Sequence, residues 1–202
     1  MAVLFPSDSG NITAGQILAR PTGPLALWCF QEQHKELVRE ALVIAEEMTW
    51  DFFRLSRSRW PRAPYDILTL EDLRQEEIHP YALAMVAKYE GYLPGSLLRS
   101  GTFDFYRICL QDHNILRVLQ DEKQIRPLSL LSYILTHELV HVVRFSLFQA
   151  RFEATAAEKL AEEGLVHRLT QEILTPLNFL DLPPIISYYN KVWQGGWQYA
   201  HL

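Results

Sequence analysis

Cysteine is scarce in this chain of 202 residues: Cys29 and Cys109 are the only two. That excludes a disulfide framework and any cysteine-built metal cluster, and leaves two reduced, buried thiols as the expected state. Charge of one sign is also missing. The 19 Lys and Arg are interspersed with 24 Asp and Glu, for a formal net charge of −5, so no basic stripe supports nucleic-acid binding. Long hydrophobic runs are missing too, since charge interrupts each apolar stretch well short of a membrane span. The opening residues MAVLFPSDSGNITAGQ lack a basic segment followed by an apolar core. No signal peptide is therefore expected, and the Asn11-Ile12-Thr13 sequon carries little meaning. These absences together suggest a cytoplasmic location. The 9 glycines form no phosphate-binding loop, and the chain has no repeats and no low-complexity tract.

What is present suits one domain over 1–202, because 49% hydrophobic and 12% aromatic residues can supply a substantial core. Residues 1–23 carry Pro, Gly, Ser and Asn and read as an extended segment. A long helix is expected over 25–55, with Ile44, Met48, Phe52 and Leu55 at helical steps. The stretch 56–66 reads as an Arg-containing loop, and 71–77 and 80–90 as shorter helices. His79 and His113 fall in expected loops, as surface residues. Aromatic and branched residues over 102–120, interrupted at 111–114, predict a β-hairpin. The tail, 175–202, holds a short helix after Pro184 and packs on the domain. The expected class is α+β, predominantly helical with a small β-sheet or hairpin.

The most informative five residues are His137-Glu138-Leu139-Val140-His141. On a helix, positions i and i+4 differ by about 40° and about 6 Å of rise. His137 and His141 therefore project from one face and can grip one ion, while Glu138 lies beside them within reach of a water. With 7 His and 16 Glu, shuffled chains contain this H-E-x-x-H pattern roughly twice in a hundred. Its surroundings must therefore carry the argument. The run 128–147 contains no Gly or Pro, follows Pro127, and is apolar around nearly its whole circumference, which indicates a buried helix. Two His and a Glu in such a helix need partners, because burying polar groups unsatisfied costs several kcal/mol. A metal ion would satisfy all three. The plainer alternative is a hydrogen-bonded core in which Glu138 pairs with Arg144.

A catalytic zinc commonly takes three protein ligands and keeps one position open. A second helix is expected over 154–174. His141 lies roughly 10 Å before the end of the first helix, and an antiparallel return must retrace that distance. Glu158 returns only about 6 Å and Glu172 about 27 Å, whereas Glu162 and Glu163 return about 12–14 Å. Glu163 is favoured because His167 follows at i+4 on the same face. His167 could orient a ligand or itself be the ligand.

HELVH followed by a Glu about twenty residues later resembles the zincin metallopeptidases, in particular the gluzincin branch. Ile134, Leu139 and Val143 fit the flanks of that motif. The resemblance covers 137–167 and implies a zincin-like fold. It also implies one zinc ion held by His137, His141 and Glu163, with Glu138 as general base. Where several gluzincins place an Asp four residues after the ligand Glu, this chain has His167. The function so implied is a zinc-dependent hydrolase, a metallopeptidase with a peptide or protein substrate. The alternatives are a non-proteolytic binding or regulatory module that retains the metal site, and a non-peptidase hydrolase. His167, Tyr188, Tyr189 and Tyr199 are the candidates for the donor that would hold a developing oxyanion. In the family an extended peptide adds to a sheet edge above the active-site helix, a role the expected hairpin could fill.

Overall fold

In the computed structural model the described residues are 29–55, 64–92 and 102–194. The expected N-terminal segment, most of the Arg-containing loop, and Tyr199 with the end of the tail lie outside them. The first helix, α1 (Glu32–Phe52), starts where the Gln31 amide donates to His34 Nδ1 at 3.0 Å. Its buried residues Val38, Ala41, Ala45 and Thr49 are spaced at helical steps along one stripe. After α1 come β1 (Tyr65–Leu68), two single 3₁₀ turns, β2 (Ala84–Tyr92) and β3 (Thr102–Leu110). Four helices complete the fold: α2 (Asp112–Asp121), α3 (Pro127–Ser146), α4 (Ala156–Leu174) and α5 (Leu182–Gln194). The class is α+β, mostly helical with one small sheet.

The sheet has β3 at its centre, parallel to β1 and antiparallel to β2. Side chains alternate across β3. Tyr106, Ile108 and Leu110 belong to the core, while Arg107 pairs with Asp66 at 2.9 Å and Glu77 at 3.1 Å. Gly91 on β2 faces Phe103 on β3, and a Cβ there would lie 2.5 Å from the Phe103 ring, so the ring occupies the place of a side chain.

Several sequence expectations fail here. The strand partner of β3 is β2, which comes before it, and the residues after β3 form α2 instead of a second strand. The polar run 111–114 is buried because it serves the neighbouring backbone. Asp112 accepts from Phe30 N at 2.7 Å and Leu70 N at 3.1 Å. Gln111 binds His79 N and Glu77 O, and Asn114 binds His79 O and Ala82 O. The helix expected over 80–90 is strand β2, and that over 71–77 shrinks to the two 3₁₀ turns. β1 arises within and beyond the expected loop. His113 is buried, with Nε2 3.2 Å from His79 O, and His79 is half-buried. Cys109 is buried and Cys29 only partly so.

α3 is the centre of the molecule. It is buried without a break from Ser129 to Val143 and packs against α1, α4, α5, β2 and β3. None of the described helices is long and apolar enough to cross a membrane. Past its C-terminus, Phe148 adopts φ 57° while Gln149 N bonds back to Arg144 O at 2.8 Å, a left-handed stop. α4 then opens with a reciprocal cap, Thr155 N to the Glu158 carboxylate and Glu158 N to Thr155 Oγ1.

Candidate metal centre

Three cross-links set the register of α4 against α3: Arg144 to Glu162, His137 to Glu163, and Tyr133 to His167. Positions fall along α3 as they rise along α4, so the two helices are antiparallel. Glu163 thus arrives between the two motif histidines. One carboxylate oxygen lies 3.2 Å from His137 Nε2 and the other 3.1 Å from His141 Nε2. The two Nε2 atoms are themselves 3.2 Å apart.

These separations test whether an ion fits. Ligands about 2.0–2.1 Å from a tetrahedral ion are about 3.3 Å from one another. The two imidazole nitrogens already stand at that spacing, and each is as close to one oxygen of the Glu163 carboxylate. Like-facing nitrogen lone pairs repel unless a proton or a cation sits between them, so the arrangement suits a borderline divalent metal.

A further donor lies close by. Ligand-type atoms of His137, Glu163 and His167 all fall within 4.8 Å of one another, a group that could hold a metal ion. The His167 ring centroid is 4.4 Å from that of His137, and its Nδ1 is 3.2 Å from the Tyr133 hydroxyl. Tyr133, His137 and His141 recur every fourth residue on α3, so spacing alone is the signal that places Tyr133 on this stripe.

Glu138 lies beside the cluster, only 3% exposed. Burial raises its carboxyl above the usual range, and Glu163 adds to this while His137 and His141 pull the other way. For His141, burial opposes the charged ring, but the Glu163 carboxylate against it, with help from Glu138 and Glu162, raises its pKa on balance. His141 Nδ1 is buried with no hydrogen-bond partner among the described residues. In many metal sites that second nitrogen donates to a carboxylate or carbonyl.

Glu162 faces away, paired with Arg144, which excludes the alternative in which Arg144 neutralises Glu138. Aromatic rings wall the site. Phe145 stacks on His141 and Tyr106, and Phe152 meets Phe145 edge-on. Tyr189 of α5 lies 4.8 Å from His167 and 5.0 Å from Tyr133, ring to ring. Its hydroxyl is held well above its ordinary pKa by burial first, with smaller contributions from Tyr133, Tyr188, Glu138 and Glu163. Of the candidate oxyanion donors, His167 and Tyr189 therefore adjoin the cluster, while Tyr188 lies in the field of Glu122, Asp121 and Arg117.

Compared with known proteins, the chain matches no protein-family model, and no curated protein or solved structure matches it either.

Proposed function

We propose that this chain is a zinc-dependent hydrolase of the metallopeptidase kind, built on a zincin-like arrangement of an active-site helix beneath a small sheet. The observation that carries this reading is the meeting of His137 Nε2, His141 Nε2 and both Glu163 oxygens at 3.1–3.2 Å, with Glu138 buried alongside. His137, His141 and Glu163 would hold one zinc ion. When bound, zinc supplies Lewis acidity that polarises a carbonyl and makes a water acidic near neutral pH.

The chain's own residues supply the proton handling. Glu138 follows His137 on α3, and burial makes its carboxylate a stronger base than an exposed one. It takes a proton from the attacking water and delivers it to the departing nitrogen. His167 or Tyr189 donates to the oxygen on which negative charge develops. A peptide substrate suits β2, an edge strand packed on α3, because an extended segment can pair with such an edge. The hairpin expected over 102–120 does not form, so β2 takes this role in its place.

The test is peptide hydrolysis by zinc-loaded protein, alongside Glu138→Gln. Zinc-dependent cleavage that disappears in Glu138→Gln supports the proposal. A zinc-loaded wild type that cleaves no member of a diverse peptide pool favours the second reading, a metal-holding module without proteolysis. His167 is the observation that favours that second reading, since a fourth protein donor would leave no open position.

A further inference from the structure

We propose that His167 is a detachable fourth ligand that closes the centre in the resting protein, held in place by Tyr133 and by Tyr189 of α5. The inference rests on the zinc reading above and concerns how that site is regulated. Structural zinc sites have four protein ligands, whereas catalytic ones keep a position for water or substrate. In this cluster three donors, His137, His141 and Glu163, make the catalytic kind. His167 adds a nitrogen from one turn further along α4, within 4.8 Å of ligand-type atoms on His137 and Glu163.

Its hydrogen bonding suits a ligand. The Tyr133 hydroxyl sits 3.2 Å from Nδ1, and Gln171 bonds the same hydroxyl. When Nδ1–H donates to the phenol oxygen, the proton is fixed on Nδ1 and the Nε2 lone pair is the one left for an ion. Tyr189 packs on the other members of this group, 4.8 Å from His167 and 5.0 Å from Tyr133. The ring of His167 is thereby sandwiched among His137, Tyr133 and Tyr189.

The clamp comes from α5, which meets the core most fully at its start. Leu182 and Ile185 at the start of α5 are buried, whereas Ile186, Tyr188 and Tyr189 are only partly covered where they pack against the core. The ion pair nearest its far end, Lys191 to Glu122, is 4.0 Å long, with Lys191 exposed and Glu122 partly buried. Displacing the second half of α5 removes Tyr189 from His167 while His137, His141 and Glu163, on α3 and α4, stay in place. The centre then changes from four protein ligands to three.

X-ray absorption of the zinc form and visible spectra of the cobalt form test this on the full chain, since both report ligands independently of activity. The wild type should show three imidazoles, and azide should leave its cobalt spectrum unchanged. His167→Ala should show two imidazoles, an azide-sensitive cobalt spectrum, and at least tenfold weaker zinc binding. Tyr189→Ala, which keeps every metal ligand, should acquire azide sensitivity. Should His167→Ala fail to fold, Tyr189→Ala and the wild-type imidazole count decide alone. Two imidazoles and azide sensitivity already present in the wild type overturn the fourth-ligand proposal and leave the zinc reading standing. A wild type that takes up neither zinc nor cobalt overturns both.

Discussion

Arg144 grips Glu162 at two points, Nε to Oε1 at 2.5 Å and Nη2 to Oε2 at 2.9 Å, and this pair settles which of two neighbouring carboxylates meets the histidines. Consecutive residues on a helix point about 100° apart. With Glu162 fixed against the end of α3, Glu163 is turned between His137 and His141. Glu163→Ala should therefore weaken zinc binding by more than about 100-fold, a larger loss than removal of a supporting residue gives. Glu162→Ala should weaken it less than about tenfold while lowering stability by about 2 kcal/mol, the scale of a charged hydrogen bond. Titration calorimetry and thermal denaturation of the two variants give both quantities, and the reverse ranking would make Glu162 the ligand.

Glu138→Gln keeps the shape of a fully buried side chain but cannot accept a proton. Hydrolysis should fall by about 10²–10⁴-fold in kcat, the usual contribution of a general base, with zinc content unchanged. Because burial penalises the ionised carboxylate, the neutral amide should leave the melting temperature equal or higher. Retained turnover in this variant would remove Glu138 from the role of base.

The two helices of the centre were legible because their signals are local. Pro127 opens α3, its apolar residues surround the axis, and the rise per residue singled out Glu162 and Glu163. The choice between those two rests on Arg144, a tertiary contact that spacing only hints at. The sheet was misread because propensity and pairing disagree. Ala84, Met85 and Ala87 are good helix formers, yet pairing with β3 makes that stretch a strand. Ile115, Leu116, Val118 and Leu119 look strand-like, but buried Ile115 and Val118 stand three apart on one face of α2. The burial of Gln111, Asp112, His113 and Asn114 depends on loop backbones that no local pattern reveals. Tyr133 was missed because a tyrosine in an apolar helix usually signals core, and His113 because a polar run usually signals surface.

Phe148 ends α3 in the left-handed region at φ 57° with 91% of its surface exposed. A side chain there costs roughly 1–2 kcal/mol that glycine does not incur, and the exposed ring returns little by burial. Phe148→Gly should raise stability by about 1 kcal/mol in urea denaturation. A loss instead would show that the ring makes a stabilising contact.

Glu77 predicts the acid limb of stability. Burial alone would raise its carboxyl, but the Tyr89 hydroxyl, the Arg74 amide and Arg107 more than reverse this, so its folded pKa is lowered. A lowered acid contributes stability above its unfolded value, about 4.3, and loses it as pH falls through the folded value. Glu77→Gln should therefore be less stable at pH 7 by about 2–3 kcal/mol. It should also lose less of its remaining stability than the wild type as pH drops below about 4. Parallel stability profiles for the two proteins across that range would assign the acid limb elsewhere.

Metal stoichiometry of the wild type, His137→Ala and His141→Ala, read together with melting temperature, is the most direct measurement of the central claim. The wild type should hold one zinc per chain, and each variant should lose it. At free zinc about 100-fold above the dissociation constant, the ion adds about 2.7 kcal/mol. For a chain of this size, chelation should then lower the melting temperature by about 5–10 °C in the wild type and leave the variants unmoved. A wild type that takes up no zinc, and melts at the same temperature with zinc or with chelator, would contradict the account.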